Sequence, residues 1–403
     1  PAVLTQAQLD KDRDGASTSE TDYQADKDSY SLVYDYNMKD NLKFNLLSSY
    51  YNSVSESSTS TSITNFDESK IAFKPKLNYE YSKGTLTAGY DYTFNNIVRD
   101  TKLGNGAFYD ISKITNSVFL NNRYDMNKLE LITGYRYEKS DYEMKDQKYG
   151  TKTPSDMDKT SSNSAYSMGL NYLYSDSGKL YGKFESGYTF PDPRQYINLT
   201  NGEGELNNLQ DEEFMTYEIG FQDYIINSLV KGAVYYTEKE NEIRKEGSSL
   251  NAKFYNIDAS KRIGGELSIS QNIKKLELSE SIAYIDAKVT EGTYEGKRIP
   301  YVSKITSSIN ATYTFNEKVD LSANITYRDK YYVDASNLSG LVNDKFVTDI
   351  KVNYSIDSNW KTYAGINNLF NADYYNTINY SSGAYTYDPA SERNYFIGFN
   401  YSF

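Results

Sequence analysis

The chain ends in NYFIGFNYSF, and this strict two-residue alternation restricts how such a segment can be built. Side chains of an extended strand point alternately to opposite faces. Tyr395, Ile397, Phe399, Tyr401 and Phe403 therefore share one face, and Phe396, Gly398, Asn400 and Ser402 the other. One face is apolar to the last residue, so something apolar must lie against it. The pattern recurs along the chain. KVDLSANITYR sets Val319, Leu321, Ala323, Ile325 and Tyr327 opposite Asp320, Ser322, Asn324, Thr326 and Arg328. DIKVNYS sets Ile350, Val352 and Tyr354 opposite Asp349, Lys351 and Asn353, and GTLTAGYDYTFN aligns Leu86, Ala88, Tyr90, Tyr92 and Phe94. No stretch of comparable length carries helical period, and no run of 18 apolar residues supplies a transmembrane helix.

Composition narrows the chemistry. The chain has 43 Tyr and 17 Phe against one Trp, and aromatics favour strands and membrane interfaces. Its net charge of −12 argues against nucleic acid as a partner. Cysteine is absent, which removes disulfides and thiolate metal sites. Histidine is absent too, so no Ser-His-Asp or Cys-His nucleophile can be assembled and the chain reads as no enzyme.

The connections carry the rest of the fold prediction. Short turns (NMKDN, SKG, DMNK, SDSGK, IINS, NIKK, FNEK, IDSN) alternate with polar loops expected near 52–69, 97–112, 144–161, 190–212, 245–252, 290–299, 333–344 and 376–392. Short turns at one end and long loops at the other describe an outer-membrane barrel, its alternate side chains facing lipid and a wetted lumen. The expected fold is all-β, a transmembrane antiparallel up-and-down β-barrel. The chain shows about 17 strands of a barrel of roughly 20–22. Residues 1–29 are expected as an exterior acidic segment and 30–403 as the barrel. Tyr327, Ile350, Tyr354 and Phe399 should lie on the outer face.

Four stretches resemble the TonB-dependent outer-membrane receptor family. They are INNLFNADYY with the terminal ERNYFIGFNYSF, GKLYGKFESGYTFPDPRQY, the TYEIGFQ strand with its acidic DEE ahead, and FYNIDASKRIGGELSIS. They stand in the family's order. The resemblance implies active uptake of a scarce metal-containing nutrient, a plug domain (which is not seen in this chain), and the TonB energy-coupling protein as partner. It also implies insertion by the barrel-assembly machinery, with Phe399, Tyr401 and Phe403 as the terminal signal, in the outer membrane of a Gram-negative-type bacterium. Within the family, TQAQLDKDRDG at 5–15 resembles the cobalamin receptor, whose exterior loop binds calcium through alternating aspartates.

The residues support a calcium reading on their own. Asp10, Asp12 and Asp14 are closely spaced hard oxygen ligands before Gly15. One segment cannot supply six to eight ligands, so Asp67 and Glu68 in the next exterior loop are expected to help. The alternative is a solvated acidic tail. For the small-molecule chelate itself, the candidates are Phe190, Arg194 and Tyr196 in one exterior loop and Tyr380, Tyr385 and Tyr387 in another. An interfacial belt of tyrosines is the competing reading of the second group. Cobalamin with calcium-ordered loops is the first ligand reading, a ferric siderophore the second, and haem (with Tyr196 as the iron ligand) a third. A passive porin is the alternative of a different class.

Overall fold

In the computed structural model the described residues are 4–13, 22–102, 106–149, 155–200, 203–246, 251–338, 340–381 and 384–402. Among them, seventeen strands curl into a barrel wall. β1 (Asp22–Lys39), β2 (Leu42–Ser58), β3 (Ile63–Tyr81) and β4 (Gly84–Thr101) open it. β5 (Ala107–Met126), β6 (Leu129–Tyr149), β7 (Ser155–Leu173) and β8 (Lys179–Thr189) follow. β9 (Glu212–Ile225), β10 (Ser228–Glu246), β11 (Lys253–Ile273) and β12 (Leu276–Glu291) form the next quarter. β13 (Ile305–Asn316), β14 (Val319–Arg328), β15 (Lys345–Ser355), β16 (Trp360–Asn367) and β17 (Asn394–Tyr401) complete it. Each strand pairs antiparallel with the next, a simple meander. No ladder among the described residues joins β1 to β17, and β1 is exposed along its whole length.

The alternation reads out as expected on the outer face. Tyr395, Ile397, Phe399 and Tyr401 are 71%, 71%, 63% and 52% exposed, and Val352 and Tyr354 also lie open. Tyr327 and Ile350 share that parity but are half-buried among their neighbours. On the inner face, Asn324 donates to Asp349 (3.4 Å) and the Lys351 ammonium lies 4.5 Å from the centre of the Tyr363 ring. Tyr363 in turn covers Gly398 directly across the ladder, where a Cβ would strike the ring. All eight short turns fall at one end of the wall. In the turn Ile226–Asn227 both residues have positive φ (48° and 61°), the pairing that a two-residue turn of this twist needs.

Two expectations are corrected. The stretches 52–69, 97–112 and 144–161 are mostly strand: among the described residues 52–58, 63–69, 97–101, 107–112, 144–149 and 155–161 are all strand. Ladder hydrogen bonds are made by the backbone, so a Ser- and Asn-rich stretch stays paired once a neighbour is in register; Ser53 stands opposite Glu68 and Asn96 opposite Ser112. A membrane-spanning strand needs only about 9–11 residues. Strands of 17–21 residues, such as β2 and β6, therefore carry the wall well beyond the lipid. The wall also begins at Asp22 rather than at residue 30, and residues 4–13 form a two-residue strand and a short helix, Gln6–Lys11.

Candidate ligand-binding vestibule

At the long-loop end the chain folds back toward the lumen in three places, and each carries a small apolar cluster. The largest lies under residues 190–211. A 3₁₀ turn at Pro193–Tyr196 leads into a hairpin of Ile197–Thr200 and Glu203–Leu206. Asp192 caps the turn by accepting from the Arg194 backbone N–H (3.0 Å). The turn drives Tyr196 and Leu209 against Ile97, Tyr109, Ile111, Tyr142 and Met144 of the inner wall, all nearly inaccessible. The Tyr142 ring meets Tyr196 edge-on at 5.7 Å, and its hydroxyl donates to the Pro191 carbonyl (3.2 Å). Asn207 donates to the Gln195 carbonyl and to Asn198, and Asn198 accepts from the Phe254 N–H, which ties the segment to β11. Burial pushes the Tyr196 phenol up to about 12, so it stays neutral.

The second cluster, Ile257, Ala287, Val289 and Ile299, seats the segment after β12. The third joins Tyr331, Val333, Val342 and Ile378 with Tyr375, Tyr385 and Tyr387. Here residues 4–13 dock as well. Leu4 and Thr5 pair with Tyr387 and Thr386. Arg13 donates to the Tyr374 carbonyl (2.6 Å), forms an ion pair with Asp373 and lies 5.3 Å from the centre of the Tyr375 ring.

Among the described residues, two cavities that open into the lumen bear on ligand binding. The first, ≈ 1110 Å³, is lined by Arg136, Lys113, Phe190 and the carboxylates Asp91, Glu138 and Glu185. Among its cations, Arg136 is neutralised locally by Asp91 and Glu138 (both 2.9 Å), while Lys74, Lys76 and Lys113 also line the space. The second, ≈ 810 Å³, is lined by Lys179, Lys231, Arg328 and Lys345 with one carboxylate, Glu266.

The expected site residues are distributed among these features. Phe190 lines the first cavity, within 4.8 Å of the Tyr188 ring and 5.5 Å of the Lys113 ammonium. Arg194 is an exposed ion-pair partner of Asp192. Tyr196 is fully buried, so as placed here it is packing rather than a ligand contact. Tyr385 and Tyr387 belong to the third cluster, not to the one holding Tyr196, and the Tyr380 side chain lies outside the described residues. Asp10 accepts from Gln6 on its own helix (2.8 Å), and Asp12 caps that helix's C-terminus. Asp14 and Phe403 lie outside the described residues. Asp67 and Glu68 are consecutive on β3 and so face opposite sides of the wall, Glu68 pairing with Lys70 (2.7 Å). The described residues hold no group of three or more carboxylates close enough to share an ion. Sequence reasoning misses the apolar inner-wall patch; its signal is Ile111 and Met144, apolar at lumen positions of strands β5 and β6.

Comparison with known proteins fits this architecture. Residues 3–369 match the family described as "TonB dependent receptor-like, beta-barrel". The chain belongs to this family. It is therefore an outer-membrane receptor barrel of the Gram-negative type, and the family is one of transporters and receptors. The catecholate siderophore receptor Fiu of Escherichia coli K12 is 22% identical over 249 residues, 58% of this chain and 32% of that protein. The siderophore receptor PiuA of Acinetobacter baumannii superposes with a TM-score of 0.79 at 17% identity, covering 94% of this chain and 64% of that one. The ferric citrate transporter FecA superposes at 0.81 with 15% identity, over 99% and 65%. The chain thus spans less than two thirds of these relatives' length.

Proposed function

We propose that this receptor binds a ferric siderophore-type chelate at its exterior end and passes it inward when the TonB protein works on a plug held in the lumen. The observation that carries this reading is the family match, joined to relatives whose own names are siderophore and ferric citrate receptors. Cobalamin, which the 5–15 stretch suggests, has no counterpart among those names, and the siderophore reading takes its place. The architecture is compatible with it. A polar inner wall suits a wetted lumen against a plug, and cavities lined by aromatic and charged side chains suit a chelate of drug-like size. Calcium at Asp10 and Asp12 stands as a separate proposal, with Asp67 and Glu68 unable to complete one site from opposite faces.

The test is equilibrium binding to the full-length protein in detergent, with ferric citrate, an iron(III) tris-catecholate and cobalamin run in parallel, each with and without a calcium chelator. Saturable binding of an iron chelate, indifferent to calcium removal, is the expected result. Binding of cobalamin alone, lost on chelation, would restore the first ligand reading.

A further inference from the structure

On the receptor reading, the inner wall at the exterior end carries a charge arrangement that bears on the ligand. Arg328 is the last residue of β14 and Lys345 the first of β15, and they stand directly opposite each other across that ladder at the exterior end. Thr306 of β13 stands opposite Arg328 on its other side. Their parity with Asn324 and Asp349 puts all three on the lumen face. Side chains opposed in this way start about 5 Å apart, and like charges there repel.

Several other cations of the inner wall are neutralised by carboxylates, while Lys113, Lys351 and Arg99 rest singly against aromatic rings. Arg136 has Asp91 and Glu138, and Arg244 and Arg262 share Glu242. Among the described residues Arg328 and Lys345 have no carboxylate partner, and the Arg328 Nε is buried without a hydrogen-bond acceptor. Each is steadied instead by a ring: the Arg328 guanidinium lies 4.6 Å from the centre of Tyr331, and the Lys345 ammonium 4.9 Å from that of Tyr374. Their cavity adds Lys179 and Lys231 against the single Glu266. That carboxylate is three ladder steps from Arg328, through Ala283 and Thr306, which is about 14 Å at the usual strand spacing.

We propose that Arg328 and Lys345 form the anchor for an anionic ligand, one whose outward carboxylate or phenolate oxygens are held between the guanidinium and the ammonium. An anion placed there removes the cross-strand repulsion and satisfies the Arg328 N–H groups, contacts an uncharged ligand does not make. The arrangement selects for ligand charge, and Thr306 supplies a neutral hydroxyl beside it.

Binding to the full-length protein in detergent tests this, with ferric citrate as the carboxylate probe, iron(III) tris-catecholate as the phenolate probe and cobalamin as a probe without that anionic surface. R328Q and K345Q should each weaken the bound iron chelate about tenfold, the usual scale for losing one charged hydrogen bond. R328K should recover most of the loss, and K351Q, a lumen cation outside this cavity, should change nothing. Added salt should weaken the wild type and leave the double variant nearly flat. The iron probe that binds identifies the oxygen chemistry. Should R328Q fail to fold, K345Q and the salt series decide the same question. An iron chelate bound equally by wild type, R328Q and K345Q would overturn the anchor and leave the receptor reading standing. Failure of both iron chelates to bind folded wild-type protein would sink both.

Discussion

The two lumen cavities are built on the same meander, yet they handle charge in opposite ways. In the first, Arg136 lies between Asp91 and Glu138, and at the exterior end Tyr196 and Leu209 pack against inner-wall residues. In the second, Arg328 and Lys345 face each other with no carboxylate paired to either among the described residues, and the Arg328 guanidinium rests on Tyr331 of the third apolar cluster. A region whose charges cancel and whose roof is packed is made to hold its shape. One whose charges repel is made to receive something. The difference teaches that inner-wall polarity, uniform at the level of composition, is arranged differently in the two cavities: a cation set between carboxylates in one, two cations set opposite each other in the other.

The largest expected effect comes from the roof of the first cavity. Tyr196→Ala removes a fully buried ring from a cluster of wall residues, a change that costs about 3–5 kcal/mol in a well-packed core. Here the expected result is local. Residues 190–211 should become rapidly cleaved by added protease while the wall strands stay resistant, and chelate binding in the second cavity should survive. Loss of the whole barrel instead would show that the roof and wall are one cooperative unit.

Charge removal should then separate the cavities. Arg136→Gln leaves Asp91 and Glu138 facing each other without their cation, in a partly exposed site, and should lower stability by about 1–2 kcal/mol. Arg328→Gln relieves a repulsion and should leave the unfolding midpoint unchanged or slightly raised. Urea unfolding followed by loss of the compact electrophoretic form measures both. Equal losses would erase the distinction between the cavities.

The outer face is far more legible in the sequence than the inner one, and the reason is physical. Lipid demands an apolar residue at every second position, so NYFIGFNYSF declares its outward residues by alternation alone. The lumen makes no such demand. Ile97, Ile111 and Met144 occupy lumen positions because a distant segment happens to cover them, and no local period encodes that. Tyr196 reads as a ligand contact for the same reason: a Tyr after Phe-x-x-Pro can point out to a ligand or in to a wall. The turns are legible, but the strand tips are not, since backbone pairing continues through Ser- and Asn-rich stretches. The outer face can be checked with Trp360, the chain's one Trp, which lies outward beside Tyr401 at 4.7 Å. Its emission in vesicles should be quenched by brominated acyl chains and spared by aqueous acrylamide. The reverse would place β16 off the lipid.

The smallest effect expected is a pH dependence confined to the first cavity's roof. Burial holds the Asp211 carboxyl above its ordinary range of 3.8, opposed by the Ser161 hydroxyl and by Lys159 and Lys113, and reinforced by Glu213. A carboxyl with a raised folded value binds its proton more readily in the folded state. Its contribution to stability is therefore fully present below about 3.8 and is lost as pH rises through the folded value. Asp211→Asn fixes the neutral form, so variant and wild type should unfold at the same midpoint near pH 4. The variant should become relatively more stable toward pH 7. Should the variant instead be the weaker one at pH 7, attraction from Lys159 and Lys113 outweighs burial. The first cavity would then be balanced by charge even at its roof, which sharpens its contrast with Arg328 and Lys345.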